Sequence, residues 1–225
     1  PDTGKQVRFE ACGGHFALSL DGVGEGFKES KKPHTLEFKT MNDKNFKATK
    51  NMGVEKSKPI YWAQCQIGMH LAGLDRCYFF AVNKNTDEMY GERIKLNKKE
   101  AQGLIDKAEK IVFSTLPPDK ISGDASDWRC KFCPYWAICH GCKIPEVSCR
   151  TCAHVTPEKD GTWSCALGKP AVTCDDHLYI PQIMPKDFEM TDAGDDWVEY
   201  EDLDTGETFR NNGNSREIFE GRMQT

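Results

Sequence analysis

The sequence predicts an α/β fold: a mixed central sheet flanked by helices, a cysteine-rich metal-binding C-terminal module, and a small terminal β-hairpin. Three observations predict it. Stretches with the period of a strand, or short apolar runs bounded by turn residues, recur at 7–11, 16–21, 34–40, 76–82 and 89–94. Between and after them, 59–71 and 97–112 carry apolar side chains at helical spacing. Eight of the eleven cysteines then fall between 130 and 174, largely in C-x-x-C pairs.

Taken in order, Val7 to Ala11 and Phe16 to Asp21 form a hairpin, with Gly13-Gly14 near its turn. Residues 22–33, rich in Gly and Lys, are a loop leading into a strand at His34 to Thr40. That strand sets Leu36, Phe38 and Thr40 on one face and Glu37 and Lys39 on the other. Residues 41–58 are polar and irregular, with a break at Gly53. Ser57 is placed to cap a helix from Pro59 to Leu71 whose apolar face is Ile60, Ala63, Ile67 and Leu71. Arg76 to Val82 is a strand buried on both faces, turned by Lys84 to Asp87 into a partner, Met89 to Ile94. Asn97-Lys98-Lys99-Glu100 resembles a capping box ahead of a helix that Pro117-Pro118 ends. In the tail, Trp197 to Tyr200 and Thr208-Phe209 flank Asp204-Thr205-Gly206 as a hairpin. The expected domains are 1–128, 129–180 and 181–225.

With 225 residues, 38% hydrophobic and 29% charged, the chain has the size and composition of one medium domain plus an appendage. No apolar run approaches the roughly 18 residues that span a bilayer, so no membrane partner is expected. The chain opens on Pro1, and a preceding segment is expected. The net charge of −5 is uneven. Residues 28–58 hold nine lysines against four acids, and 131–225 hold nine basic residues against 17 acidic ones. Lys28, Lys31, Lys32 and Lys47 therefore form either a solvated loop or a surface that meets phosphates. Clustered cysteines without an export signal favour metal ligation in a reducing, cytoplasmic compartment.

The candidate chemistry lies at Glu37 and Lys39. A carboxylate and an ammonium two residues apart on one strand face can share a reacting centre, the acid holding a divalent metal and the lysine steadying a phosphate oxygen or a water. Asp21, at the end of the preceding strand, supplies a second carboxylate, and the Phe38 carbonyl is a candidate third ligand. Such hard oxygen donors suit Mg²⁺ or Mn²⁺. Asp21 also fits a turn residue before Gly22.

This order, with Asp21, then Glu37-x-Lys39, then a glutamine-bearing helix, a buried strand, an edge strand and a helix, resembles the PD-(D/E)xK nuclease core. The resemblance is to its RecB-like and phage-exonuclease branch, over residues 7–140. It implies a restriction-endonuclease-like core and a metal-dependent DNA nuclease, with exonuclease action the expected mode. It also implies a role in phage DNA recombination, replication or repair, with a partner protein from that machinery, in the host cytoplasm. The alternatives are a catalytically degenerate nuclease fold kept for DNA binding, and a zinc-ribbon interaction protein. The branch often carries Q-x-x-x-Y on the helix. Here Gln64 is the better match, but Gly68 stands where the tyrosine would be. Leu20 replaces the motif proline, and His15 or Glu10 is a substitute by proximity only for a metal-binding histidine.

Cys130-x2-Cys133-x5-Cys139 resembles the cysteine group of iron–sulfur nucleases of the CRISPR-adaptation and AddB types. The resemblance implies a [4Fe–4S] cluster whose fourth ligand is Cys12 or a cysteine of a preceding segment. The competing reading is a Zn²⁺ site completed by Cys142. Cys149-x2-Cys152-x12-Cys165-x8-Cys174 is a second quartet with ribbon-like spacing, expected to hold Zn²⁺, with His154 and His177 as alternate ligands.

Overall fold

The computed structural model describes residues 6–28, 30–141, 143–170 and 174–223, with side chains through Phe219. The fold is mixed α/β and divides into two compact units. One runs to Val112 and includes residues 159–161; the other takes the rest from Phe113. Among the described residues no helix is long and apolar enough to cross a membrane.

The first unit opens on an antiparallel hairpin, β1 (Val7–Ala11) and β2 (Phe16–Leu20), turned at Cys12-Gly13-Gly14. All three turn residues have positive φ, so two of them being glycine matches the geometry. A four-stranded sheet follows, in the order β3 (Gly22–Gly24), β4 (His34–Met41), β5 (Arg76–Asn83), β6 (Met89–Lys95). The β4–β5 pair is parallel, and β3 and β6 flank it antiparallel. The short β3 occupies part of the stretch expected to be loop. Parallel pairing of β4 and β5 requires a crossover, and the intervening residues supply two helices, α1 (Asp43–Ser57) and α2 (Pro59–Leu71).

Helix α1 corrects the expectation of an irregular 41–58. Asn42 caps it, its Oδ1 accepting from the Asn45 N–H at 2.9 Å, and Phe46, Thr49 and Val54 turn into the core. The break at Gly53 is real but is a kink inside the helix, with φ 79° and ψ 166°. It releases the Val54 N–H from helical bonding, and the Glu92 carboxylate accepts it at 2.9 Å. Ser57 does not cap α2. It closes α1 instead, donating to the Gly53 carbonyl at 2.6 Å.

Helix α2 has the predicted bounds but buries a different face: Cys65, Gln66, Gly68 and Met69, with Ile60 79% exposed. Gly68 lies on the buried face: a Cβ there would stand 2.6 Å from Leu20 Cδ2, so a larger residue would force Leu20 to shift. Gln66 is fully buried and structural. Its Nε2 donates to the Lys95 carbonyl at 3.0 Å and its Oε1 accepts from the Asn97 N–H at 2.7 Å. Strand β5 is buried on one face only, through Cys77, Phe79, Ala81 and Asn83, and half-buried on the other. Asn97 caps α3 (Lys98–Val112) through the Glu100 N–H at 3.3 Å and reaches the Glu100 carboxylate, as the sequence pattern anticipated. The core of this unit joins Met41, Phe46, Val54, Cys65, Met69, Cys77, Phe79, Ala81 and Ile94.

The second unit holds a single turn α4 (Trp136–Cys139), a small hairpin β7 (Val155–Pro157) and β8 (Trp163–Cys165), and an antiparallel sheet of β9 (Phe188–Ala193), β10 (Val198–Asp202) and β11 (Thr208–Asn211). The tail is thus three-stranded rather than a hairpin, and α5 (Ser215–Met223) follows it. Leu178, Tyr179, Val198, Tyr200 and Phe219 form its core, with Ile144 and Val147 packed against it. The cysteine-rich stretch and the tail therefore share one hydrophobic cluster.

Candidate active site

Asp21 sits in the bend between β2 and β3, beside the middle of β4. The cause is local. Strand β3 pairs with β4 only from Gly24↔His34 to Gly22↔Leu36, so the next outward-facing N–H of β4, that of Phe38, is left without a ladder partner. Asp21 Oδ2 accepts it at 2.7 Å, while Gln6 Nε2 donates to Oδ1 at 3.4 Å. On an extended strand the N–H and C=O of one residue point the same way. The Phe38 carbonyl therefore opens toward the side on which Asp21 lies.

Glu37 and Lys39 are on the opposite face of β4 from Phe38, and this is the inner face. Glu37 is 2% exposed, whereas Phe38 is 49% exposed. The Glu37 Oε1 atom is buried and pairs with the Lys39 ammonium. Burial pushes the Glu37 carboxyl above its ordinary value. The hydrogen bond and charge of Lys39 pull it back, and the negative charge of Asp21 adds to the rise. For Lys39, burial by itself would lower the ammonium. The hydrogen bond and charge of Glu37, followed by Asp21, outweigh it, and its pKa is raised. Lys39 thus stays charged, facing two carboxylates.

Two features of this site go beyond the sequence motifs. The Lys39 Nζ lies 5.2 Å from the centroid of the Tyr61 ring, a cation–π contact, and Tyr61 is itself stacked on Phe79 at 6.3 Å. Near the Glu37–Lys39 pair lie two buried thiols, Cys65 on α2 and Cys77 on β5; Cys77 and burial push the Cys65 thiol up, and the charges of Glu37 and Lys39 also act on it. For Tyr61 a signal exists in the sequence, since it stands one helical turn before Gln64. Gln64 is half-buried on α2. His15 is half-buried beside the β1–β2 turn, and Glu10 is exposed and paired with Arg8 at 2.9 Å.

The basic stretch is not one loop. Lys28 and Lys31 are exposed ahead of β4, and Lys32 pairs with Asp75 at 2.6 Å. Lys47 lies on α1, paired with Asp43 at 2.8 Å, which holds the Asp43 carboxyl below its ordinary value.

The cysteines divide clearly. Cys130 is buried, Cys133 half-buried and Cys139 exposed. Cys142 lies outside the described residues, and Cys12 belongs to the other unit. Cys149, Cys152, Cys165 and Cys174 instead line one cavity together with His154 and His177. Among the described residues no three of His, Cys, Asp or Glu stand close enough to hold a metal ion as they are.

No protein-family model matches the chain, and no curated protein sequence does. Among solved structures, "Crystal structure of SSO0001" is similar at 16% identity and a TM-score of 0.36. The match covers 62% of this chain and 59% of that one, so this chain spans less than two thirds of that neighbour. A likeness of this size bears on neither fold nor function.

Proposed function

We propose that the chain is a Mg²⁺- or Mn²⁺-dependent deoxyribonuclease built on a restriction-endonuclease-like core, with the site at Asp21, Glu37 and Lys39. The observation that carries this reading is the convergence on three successive residues of β4. Asp21 is anchored to the Phe38 N–H at 2.7 Å, and Glu37 and Lys39 are paired in the buried interior beside it. The donor set fits a hard divalent ion. It offers two carboxylates and an outward-facing carbonyl, and the buried Glu37 has its charge raised in energy by Asp21, which a cation relieves. Such an ion, held by Asp21, Glu37 and the Phe38 carbonyl, would supply an activated water and a polarised phosphate.

The chain's own residues do the rest. Lys39, kept protonated by its two acids and braced by Tyr61, is the donor that offsets negative charge developing on the phosphate. Gln64, on the same helix as Tyr61, is the polar group available to the DNA backbone on that side. Lys28 and Lys31 extend a positive approach ahead of β4.

The test is cleavage of linear DNA with Mg²⁺ or Mn²⁺, stopped by EDTA. Asp21→Ala and Glu37→Ala should abolish it while the fold survives. Full cleavage by either variant, with contaminating nuclease excluded, removes this site. The same reading expects an iron–sulfur cluster on Cys130, Cys133 and Cys139, whose thiolates suit it, with a fourth ligand from outside the described residues. Protein prepared without oxygen should contain iron and acid-labile sulfide, and Cys133→Ser should lose both.

A further inference from the structure

We infer that Cys149, Cys152, Cys165 and Cys174 hold one structural Zn²⁺ that organises the second unit. The site is independent of the nuclease reading. Spacing alone nominated these residues with two histidines as alternates; the tertiary structure supplies three further observations.

The first is convergence. Four cysteines from a 26-residue stretch of chain, all free, line a single cavity of about 10 Å³. That is room for about one small occupant, since a water needs roughly 10–15 Å³. The four sulfurs are not bonded to one another, and Val155, Leu167 and Pro170 are among the residues that complete the lining.

The second is backbone shape. Each of the four cysteines begins a turn in which its carbonyl accepts from the N–H three residues on. The pairs are Cys152 N to Cys149 O at 3.5 Å, Val155 N to Cys152 O at 3.3 Å, Gly168 N to Cys165 O at 2.9 Å, and His177 N to Cys174 O at 3.3 Å. Such turns reverse the chain at each cysteine that lines the cavity. Gly168, at φ 65°, permits the third of them.

The third is an orphan. His177 is 2% exposed and lines the cavity; its Nε2 is 3.1 Å from Thr151 Oγ1, while its Nδ1 is buried with no partner. With the ring proton on Nδ1 and Thr151 Oγ1 donating to Nε2, a metal-bound thiolate would give that nitrogen an acceptor, as outer groups do around metal sites. Four thiolates already complete a tetrahedral site, so the ligand set is all-cysteine with His177 beside it. Lys169 and Asp176, also lining the cavity, are paired with each other.

The structural consequence follows from where the four residues lie. Cys149 and Cys152 precede β7, Cys165 ends β8, and Cys174 stands shortly before Leu178 and Tyr179 of the aromatic core. Cys152 also bridges Tyr179. The ion would therefore tie the β7–β8 hairpin to the core of the tail sheet. As they stand, no three of these groups are close enough to hold an ion, so binding requires the sulfurs to draw in, with loss of their protons.

The experiment uses the full chain, purified reduced and without chelator. Metal analysis should find about one more Zn²⁺ per chain in the wild type than in Cys165→Ser or Cys174→Ser. His154→Ala and His177→Gln should retain the ion. Because the serine variants can fail to fold, a second measurement uses the wild type stripped of metal. Added Co²⁺ should give the intense visible bands of tetrahedral cobalt–thiolate, and Zn²⁺ should bleach them. Equal metal content in wild type and Cys165→Ser, together with no cobalt–thiolate spectrum, overturns the site. Retention in Cys174→Ser with loss in His177→Gln overturns the all-cysteine ligand set, and iron at this site in place of zinc overturns the metal.

Discussion

At the scale of the residue, Glu37 concentrates the physics of the proposed site. Its folded pKa is raised chiefly by burial, with Asp21 adding to the rise. A carboxyl held above its unfolded value contributes stability that is present at low pH and lost as pH rises through the folded value. In metal-free buffer, the stability of the wild type relative to Glu37→Gln should therefore fall as pH climbs above the ordinary value of 4.5. Urea midpoints across a pH series measure this; a difference that grows with pH would mean Glu37 is not the strained group. Lys39→Met should lower turnover on the order of 100-fold, with a smaller effect on metal affinity, because it removes a donor and leaves the carboxylates. Single-turnover cleavage set against a metal titration separates the two effects. That Glu37 and Lys39 share one face of β4 was legible from E-x-K at strand spacing. That this face is the buried one was not, since Leu36 and Phe38 on the opposite face are the more apolar.

At the scale of the element, glycines set how closely helices meet sheets. Gly68→Ala places a methyl 2.6 Å from Leu20 Cδ2, so the buried Leu20 side chain must shift, and should cost about 1–3 kcal/mol. Since Leu20 adjoins Asp21, cleavage should also drop more than stability alone explains. Wild-type activity at a temperature where the variant is folded would disconnect the helix from the site. Gly53→Ala forces a positive φ of 79° on a residue with a Cβ and should cost about 1–2 kcal/mol, read from thermal unfolding. The sequence showed the Gly53 break and hid the helix around it. Asn42, Phe46 and Thr49 do carry a cap and an i, i+3 pair, but they are diluted by lysines.

At the scale of the whole molecule, the lysines of 28–58 are not equivalent. Lys28 and Lys31 are exposed, while Lys32 and Lys47 already have acids. Charge reversal at Lys28 and Lys31 should weaken DNA binding and flatten the slope of log affinity against log salt by about 0.9 for each phosphate no longer neutralised. Reversal at Lys47 should do less to the slope. Filter binding across a salt series would show it, and an unchanged slope for Lys28 and Lys31 would leave them merely solvated.

By itself the sequence determined most strands and two helices of the first unit but neither β3 nor α1, together with the Asn97–Glu100 cap, the shared face of Glu37 and Lys39, and the grouping of four cysteines. Each is written in local spacing, over one turn or a few strand residues, or in a repeated C-x-x-C. Only the tertiary structure decided what depends on residues far apart in the chain. The edge left by the short β3 seats Asp21 on the Phe38 N–H, and packing against Leu20 puts Gly68 on the buried face of α2. Tyr61 meets Lys39 because a helix crosses a strand more than 20 residues earlier. The tail becomes a three-stranded sheet with α5 because Tyr179, Tyr200 and Phe219 can bury one another only when β9 and α5 close around them. Burial is a property of the assembled surface, and local pattern fixes it only where one face of an element is clearly the more apolar.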